Sequence, residues 1–537
     1  MNICLVIFVI LPPCIMGFTC PEDLSRVCTC YTTFTGSIRR EERRHVDCSS
    51  RELKEIPYMD FREGTRLYEI LLQNNSITSL LATDFARKTH VRYIDISGNP
   101  VGSSLEKNLL KKSVTNLKIL KVKDIGLDLQ NMTSLHFLKD MHSLEELDLS
   151  GNMEYGVDML PAIFVENEIH SLKILSLSLC RIKDVNPHGF IGLNNLREMD
   201  LSQNYLSRVP RALNRLGLLR KLTLRENDIT VIYHGDFSDL NCLEELDLSK
   251  NLLGQIEAFR NGALFGVSNS LTHFYLHDTH LGFFPTRTLS DLKKLKHLDI
   301  SHNKITLLTN MSFSGRYQLS FLDISGNPWL IDDGMFDGVK DSLVSLRMRK
   351  IGITSVPRIP LTKLQNLRNL DLSYNELHSL NNDSISGISA RRISFRGNKI
   401  SYINDDAFSH YKRPIDLDLS QNVLDSLKFV FESEKCTFYK LNISYNGFLC
   451  DCQIEKIVNS KRAYDLDGNC ILKTGRTVAL SNGSMIRDLE THCGKSSRTF
   501  CLWWAPKSES INAGLSPVLA VLLILHIGIH IAELHVR

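Results

Sequence analysis

A repeating pattern of apolar residues with a period of about 25 positions constrains this chain more than any other feature. The unit reads LxxLxLxxNxL, and clear copies occupy residues 67–77, 144–154, 196–206, 243–253, 295–305, 367–377 and 438–448. The asparagine position can be followed through sixteen units, at residues 75, 99, 125, 152, 180, 204, 227, 251, 279, 303, 327, 351, 375, 398, 422 and 446. Such units must stack on one another, because a single unit cannot bury its own apolar face.

Each LxLxx segment is expected to form a short strand whose inner leucines point into the molecule. These units are leucine-rich repeats. They predict an α/β solenoid, a horseshoe with a parallel concave β-sheet of about 16 repeats over residues 60–448. The asparagines are expected to bond main-chain groups of adjacent turns. Phenylalanines recur on the returning side and predict a packed spine, and Ile125, Thr279 and Ile351 depart from the asparagine pattern.

Charge and motifs exclude several functional classes. The 63 basic and 60 acidic residues give a net charge of +3, which does not indicate a chain-wide nucleic-acid surface, so no nucleic-acid partner is predicted. The sequence has no HExxH or GxSxG motif, and its histidines lack metal-ligand spacing. We therefore predict neither an enzyme nor a cofactor or metal site.

Eight cysteines flank the repeats. An N-terminal cysteine-rich cap is predicted at residues 18–59 and a C-terminal one at 449–493, because the open ends of a solenoid need covering. A zinc site is the alternative, but a secreted chain favours disulfides. The cap cysteines are Cys20, Cys28, Cys30, Cys48, Cys450, Cys452, Cys470 and Cys493. Among the others, Cys180 is expected to be buried and unpaired, and the pairing of Cys436 and Cys501 stays open.

With its two cysteine-rich flanks, the array resembles extracellular leucine-rich-repeat proteins and is similar to Toll-like receptor ectodomains. The resemblance covers about residues 20–493. It implies the pairs Cys450–Cys470 and Cys452–Cys493, and, at the other end, Cys20–Cys30 and Cys28–Cys48. Toll-like receptors continue into an intracellular signalling domain, whereas this sequence ends at Arg537. We therefore expect any signal to pass through a partner chain.

Both termini are apolar. Residues 1–17 are interpreted as a signal peptide, with a buried segment as the alternative. Residues 494–514 are interpreted as a juxtamembrane stalk and 515–537 as a hydrophobic anchor segment. The anchor is predicted to be a glycolipid signal or a single-pass helix, and a buried helix is the remaining alternative. Either anchor would hold the protein on the extracellular side of the plasma membrane.

The residue between the two inner leucines of each strand is expected to face the concave surface. An acidic stripe is predicted there as a candidate binding face, and the alternative is that these residues support the adjoining turns. The stripe consists of Asp95, Asp148, Asp200, Asp247, Asp299, Asp323, Asp371 and Asp418. Six glycosylation sequons are predicted at Asn74, Asn131, Asn310, Asn382, Asn442 and Asn482.

Two functions fit these features. The first is a cell-surface recognition receptor of Toll-like type that binds a microbial or endogenous ligand and acts through a co-receptor or dimer partner. The second is a cell-adhesion or guidance protein that binds another cell-surface protein. Ligand-driven dimerisation is expected of the first, and cell aggregation of the second.

Overall fold

The computed structural model describes residues 20–481 and Cys493, except residues 21, 36–40, 60–67, 82, 85–90, 106, 108, 111–113, 115, 166, 168, 314–317, 410, 412–413, 434–436 and 461–462. The predicted signal peptide, stalk and anchor segment lie outside the described residues. So do Asn482, Cys436 and Cys501.

One long sheet runs through the described chain, and each of the sixteen repeats contributes one strand to it. The strands are β1 (Thr29–Thr35), β2 (Glu41–Asp47), β3 (Tyr68–Leu71), β4 (Val91–Asp95), β5 (Ile119–Lys121), β6 (Glu146–Asp148), β7 (Ile174–Ser176), β8 (Glu198–Asp200), β9 (Lys221–Thr223), β10 (Glu245–Asp247), β11 (His273–Tyr275), β12 (His297–Asp299), β13 (Phe321–Asp323), β14 (Ser345–Arg347), β15 (Asn369–Asp371), β16 (Ser379–Leu380), β17 (Arg392–Ser394), β18 (Tyr402–Ile403), β19 (Ile415–Asp418), β20 (Phe438–Asn442), β21 (Ala463–Asp467), β22 (Asn469–Ile471) and β23 (Thr477–Ala479).

The repeat strands are β3–β15, β17, β19 and β20, and each pairs in parallel with the next. At the start, the antiparallel hairpin β1–β2 joins β3. At the end, β21 pairs with β20. Strands β16 and β18 form a small flanking sheet, and β22 and β23 form a hairpin. The predicted parallel sheet and repeat number are confirmed.

The returning side of the described solenoid carries helices of one turn or little more. The α-helices are α1 (Glu22–Ser25), α2 (Thr286–Leu289), α3 (Arg358–Thr362), α4 (Lys428–Glu432) and α5 (Cys452–Ser460), of which α1 belongs to the N-terminal cap and α5 to the C-terminal cap. The 3-10 helices are Gly102–Ser104, His136–Leu138, Arg211–Arg215, Phe265–Val267 and Asp337–Val339. The phenylalanine spine is buried as predicted, at Phe190, Phe237, Phe313, Phe336 and Phe408.

The core sits between the sheet and the returning side. In β6, for example, Leu147 is fully buried and its neighbours Glu146 and Asp148 are partly exposed. This alternation follows from the two-residue period of a strand. Each buried leucine contributes roughly 1.5–3 kcal/mol, so stacked units are stable where a single unit is not.

The asparagines form the predicted ladder between turns. Asn152 donates from Nδ2 to the carbonyls of Val122 and Leu149 at 3.0 and 2.7 Å, and its Oδ1 accepts from the amides of Ile125 and Leu127 at 3.1 and 3.0 Å. One side chain thus satisfies main-chain groups of two units, which would otherwise be buried without partners.

The position before each asparagine always has a left-handed backbone, with φ between 50° and 75° in all sixteen units. Only four of these positions hold glycine: 98, 151, 326 and 397. The others carry a side chain that stands at the turn, so these side chains form a row at one rim of the concave sheet. Gly397 is required where it is, because a Cβ there would lie 2.5 Å from the Tyr374 ring.

Four of the sixteen positions lack asparagine, and three of them are accommodated in different ways. Thr279 donates to the carbonyl of Leu276 at 3.0 Å, and the thiol of buried Cys180 lies 3.3 Å from the carbonyl of Leu149. At Ile351 the missing donor is replaced from another unit. The indole nitrogen of Trp329 donates at 2.7 Å to the carbonyl of Ile324, where an asparagine at 351 would bond.

Disulfides hold both ends, as expected. Cys20 is bonded to Cys30 and Cys28 to Cys48 in the N-terminal cap; in the C-terminal cap Cys450 is bonded to Cys470 and Cys452 to Cys493. These are the pairs that the resemblance implies. Because the sulfurs are bonded to one another, they are not zinc ligands. Cys180 is buried and unpaired, and Cys242 is exposed and unpaired.

Candidate functional site on the concave sheet

The eight aspartates of the predicted stripe all lie on the concave side, and each makes the same hydrogen bond within its own turn. Each Oδ1 accepts the amide of the serine two residues later, at 2.8–3.1 Å. The serine hydroxyl also donates to the aspartate in several units, as Ser301 does to Asp299 at 2.6 Å. One oxygen of each carboxylate therefore supports the turn, which is the alternative that the sequence left open.

The aspartates do not form a continuous acidic surface. From β3 to β11, every second strand has a different residue at the aspartate position, and these residues are Leu71, Lys121, Ser176, Thr223 and Tyr275. In the later units Arg347, Ser394 and Asn442 occupy this position. Asp323 is almost fully buried, and burial raises the pKa of its carboxyl. The chemical character of the concave face therefore changes along the solenoid.

Strands β11–β13 carry a ladder of aromatic and imidazole rings that the sequence analysis missed. His297 stacks on Phe321 with ring centres 4.0 Å apart and an interplanar angle of 6°. On its other side lie the rings of His273 at 5.4 Å and Tyr275 at 5.1 Å. The guanidinium of Arg347 covers Phe321 at 4.9 Å. The signal that could have found this ladder is the strand register, which aligns His273, His297 and Phe321.

The pKa of His297 is lowered to about 4, first because burial disfavours the charged ring and then because His273 and Arg347 repel it. The ring is therefore neutral near pH 7 and packs as an aromatic side chain.

Basic residues gather in the next three units, around Tyr374. Arg349 places its Cζ 5.4 Å from the ring centre of Tyr374, and Lys350 places its Nζ 5.7 Å from it. From the other side, Nε of Arg396 donates to the Tyr374 hydroxyl at 3.1 Å. We call Arg349, Lys350 and Arg396 the basic cluster.

A concave cavity of about 460 Å³ adjoins the basic cluster and extends over units 12–16. Each basic residue of its lining has an acidic partner, within the lining for Arg392 and outside it for Lys440 and Arg347. Arg392 bonds Asp416 at 3.0 Å, Lys440 lies 3.3 Å from Asp465, and Arg347 lies 3.6 Å from Asp323. Asp371 joins the cavity to the cluster, because it lines the cavity and its Oδ2 lies 3.7 Å from Nε of Arg349.

The predicted sequons are placed unequally. Asn74, Asn131, Asn310 and Asn382 are exposed, and Asn442 is partly buried and lines the cavity. Oδ1 of Asn442 accepts the amide of Ser444 at 3.1 Å.

The described residues contain no group of three or more His, Cys, Asp or Glu side chains that could hold a metal ion. None of the helices in that part of the chain is long and apolar enough to cross a bilayer.

The repeats and the capped sheet define a solenoid protein of the leucine-rich-repeat class. The sequence matches the leucine rich repeat family over residues 170–229, 210–253 and 269–328, and the BspA type leucine rich repeat region over 331–452. It is 29% identical over 340 residues to receptor-like protein 41 of Arabidopsis thaliana, which covers 57% of this chain and 37% of that protein. It is 24% identical over 361 residues to human Toll-like receptor 3, covering 64% of this chain and 36% of the receptor. The chain thus spans a little over a third of either relative.

Among solved structures, the fold is similar to a chain of the glycosylated Drosophila Toll–Spatzle complex. The TM-score is 0.55 at 14% identity, covering 86% of this chain and 76% of that one. The chain is a solenoid of leucine-rich repeats with a disulfide cap at each end, and its fold is similar to that of Toll-like receptor ectodomains.

Proposed function

We propose that this protein is a cell-surface recognition receptor of Toll-like type, which binds a microbial or endogenous ligand and acts through a partner chain. The observation that carries the proposal is the division of one continuous concave sheet into chemically distinct regions. A generic repeat needs only leucines and asparagines, so the ring ladder and the basic cluster are additions to what the fold requires. The likeness to Toll in its complex with Spatzle supports a solenoid surface that binds another molecule.

The location is part of the proposal. We infer an extracellular position, held by a glycolipid or a single-pass helix in residues 515–537. Cells displaying the intact chain should stain with an antibody to the repeats without permeabilisation. Phosphatidylinositol-specific phospholipase C should release the protein if the anchor is a glycolipid, and retention would indicate a helix. Staining that requires permeabilisation would contradict a surface location.

A second experiment separates recognition from adhesion. The chain up to residue 493 is joined to a membrane helix and a cytoplasmic reporter that responds to dimerisation, and the cells are exposed to heat-killed microbes or to lysed host cells. A reporter signal from one of these preparations is expected. Aggregation of cells that carry the chain, with no reporter signal, would instead favour a cell-adhesion protein.

A further inference from the structure

The basic cluster arises from units that depart from the repeat consensus. Unit 12 reads SLRMRKI, where most units have the pattern of LDLSxN, so Arg347 and Arg349 replace the concave aspartate and serine. Unit 14 reads RISFRGN, which puts Arg396 at the serine position. The two arginines at the serine position, Arg349 and Arg396, therefore lie on either side of unit 13, about 10 Å apart in strand spacing.

Tyr374 of unit 13 organises these cations. Its ring lies over the space left by Gly397, where any Cβ would collide with it. Its hydroxyl accepts from Nε of Arg396 at 3.1 Å and donates to Oε1 of Gln421 at 3.4 Å. Arg349 and Lys350 face the same ring at 5.4 and 5.7 Å. One aromatic side chain thus holds three positive groups near one another, against their mutual repulsion.

Among the described residues, the charge of Arg349 is poorly neutralised. The nearest carboxylate oxygen of Asp371 is 3.7 Å from Nε of Arg349, which is beyond a hydrogen bond, and that buried nitrogen has no hydrogen-bond partner. The side chain of Arg349 is nevertheless 42% exposed. Its guanidinium therefore keeps donors for an external anion, and a fork of this type matches sulfate, phosphate or carboxylate oxygens.

The adjoining cavity has a different character. Its volume of about 460 Å³ lies within the range of sites for small ligands. Three basic and three acidic side chains balance one another, and two serines and two asparagines add groups that both donate and accept. The charged lining residues are Arg347, Arg392, Lys440, Asp371, Asp416 and Asp418.

A neutral, hydrogen-bonding cavity beside a localised cationic cluster favours a ligand that carries negative charge at one end and uncharged polar groups at the other. We propose that this surface binds an anionic saccharide, with a sulfate, phosphate or carboxylate substituent on the basic cluster and sugar hydroxyls in the cavity. Sugar hydroxyls donate and accept, which suits paired carboxylates, amides and serines. A nucleic acid or an acidic peptide carries charge along its whole length and would meet Asp416 and Asp418.

This inference deepens the proposed recognition function and rests on it for the identity of the ligand-binding surface. The test uses the full-length chain on cells, with a fluorescent heparin-derived hexasaccharide and a phosphorylated mannan oligosaccharide as charged probes. The control, called the desulfated probe, is the same hexasaccharide after desulfation, N-acetylation and reduction of its carboxyl groups, so that it carries no anionic group. The sulfated probe, the phosphorylated probe or both are expected to bind, and the desulfated probe is expected to bind at least about ten-fold more weakly. The comparison of the two charged probes identifies the preferred anionic ester.

The double substitution R349A/R396A should weaken binding of the charged probe by about ten-fold or more, because both guanidiniums are lost. R349K/R396K keeps the charge and should restore part of the affinity. The matched control is R215A/R287A, which removes two exposed arginines away from the cavity and should leave binding within about two-fold. Surface staining of each variant checks that it folds.

S444A removes the predicted glycosylation sequon at Asn442 while leaving Asn442, which lines the cavity, in place. A glycan on Asn442 would cover the cavity, so S444A should not lower the affinity. Equal binding of desulfated and charged probes, equal loss in the control double variant, or tighter binding of a single-stranded DNA or polyglutamate probe would overturn the inference. If the saccharide binds but the dimerisation reporter does not respond, only the proposed signalling role is contradicted. If the reporter responds and R349A/R396A leaves that response intact, only the saccharide site is contradicted.

Discussion

At the scale of the residue, the solenoid depends on hydrogen bonds from side chains to the main chain that recur in the units carrying asparagine. Asn375, for example, donates to the carbonyls of Met348 and Leu372 at 2.8 and 2.9 Å. Ile351 cannot donate to Ile324 in the same way, and Trp329 does so through its indole nitrogen. The tryptophan is almost fully buried, so it both fills the core and satisfies a buried carbonyl.

The substitution W329F should destabilise the protein by about 0.5–1.5 kcal/mol, because the carbonyl of Ile324 loses the indole donor but keeps its hydrogen bond from Nδ2 of Asn327. Adding I351N to W329F should recover part of this loss, since the new amide would reach the carbonyl of Ile324. Urea unfolding of the two variants and of the parent measures both effects. If I351N lowers stability equally with and without Trp329, the two side chains do not serve the same carbonyl.

At the scale of the element, neighbouring strands are coupled through side chains on the concave face. The ring of His297 in β12 is sandwiched between His273 and Tyr275 of β11 and Phe321 of β13. Arg347, Asp323 and Glu245 supply the charges that face this ring, and repulsion from His273 and Arg347 adds to the effect of burial in lowering the pKa of His297. The pKa of His297 near 4 means that its packing depends on its being neutral.

This coupling predicts acid sensitivity. An unfolded histidine binds a proton below about pH 6.5, whereas folded His297 does so only near pH 4. Between these values the unfolded state holds more protons, so stability falls as the pH falls through that window. Because the ring is only half-buried, we expect its contribution to be about 1–2 kcal/mol rather than the full value of the shift.

H297Q should reduce the difference in unfolding free energy between pH 7 and pH 4.5 by that amount, as measured with urea at both values. H142Q changes an exposed histidine and serves as the control, with the difference retained. A pH dependence that is the same in H297Q and the parent would show that His297 does not carry it.

At the scale of the whole molecule, a solenoid is stable because each unit is covered by its neighbours, and the end units are the exception. The C-terminal cap provides the missing neighbour through β21, which pairs with β20, and through α5. The Cys450–Cys470 disulfide ties the start of the cap, directly after the last repeat, to β22 across 20 residues of sequence. The cap therefore controls how far unfolding spreads from this end.

The double substitution C450S/C470S should cost about 3 kcal/mol, as expected for a closed loop of this length. The loss should begin locally, with faster hydrogen exchange in β20 and β21 while β6–β10 stay protected. C242S removes an exposed unpaired cysteine and should change neither quantity. Uniformly faster exchange in all units would contradict local fraying.

The sequence by itself determined the repeat, the number of units, the inward leucines, the asparagine ladder and the covered ends. These follow from a fixed spacing, because a strand alternates its side chains and every unit meets a copy of itself. The placement of Asp148 on the concave side was predictable in the same way.

The role of Asp148 is local, because its Oδ1 accepts the amide of Ser150 two residues later, and turn support is one of the two roles that the sequence left open. The roles of His297, Tyr374 and Trp329 were decided only by the tertiary structure. Each acts through residues at least one unit away or through a carbonyl left open by a distant substitution. Spacing along the chain specifies which side of the sheet a residue faces, but the register between units determines which side chains of neighbouring units are in contact.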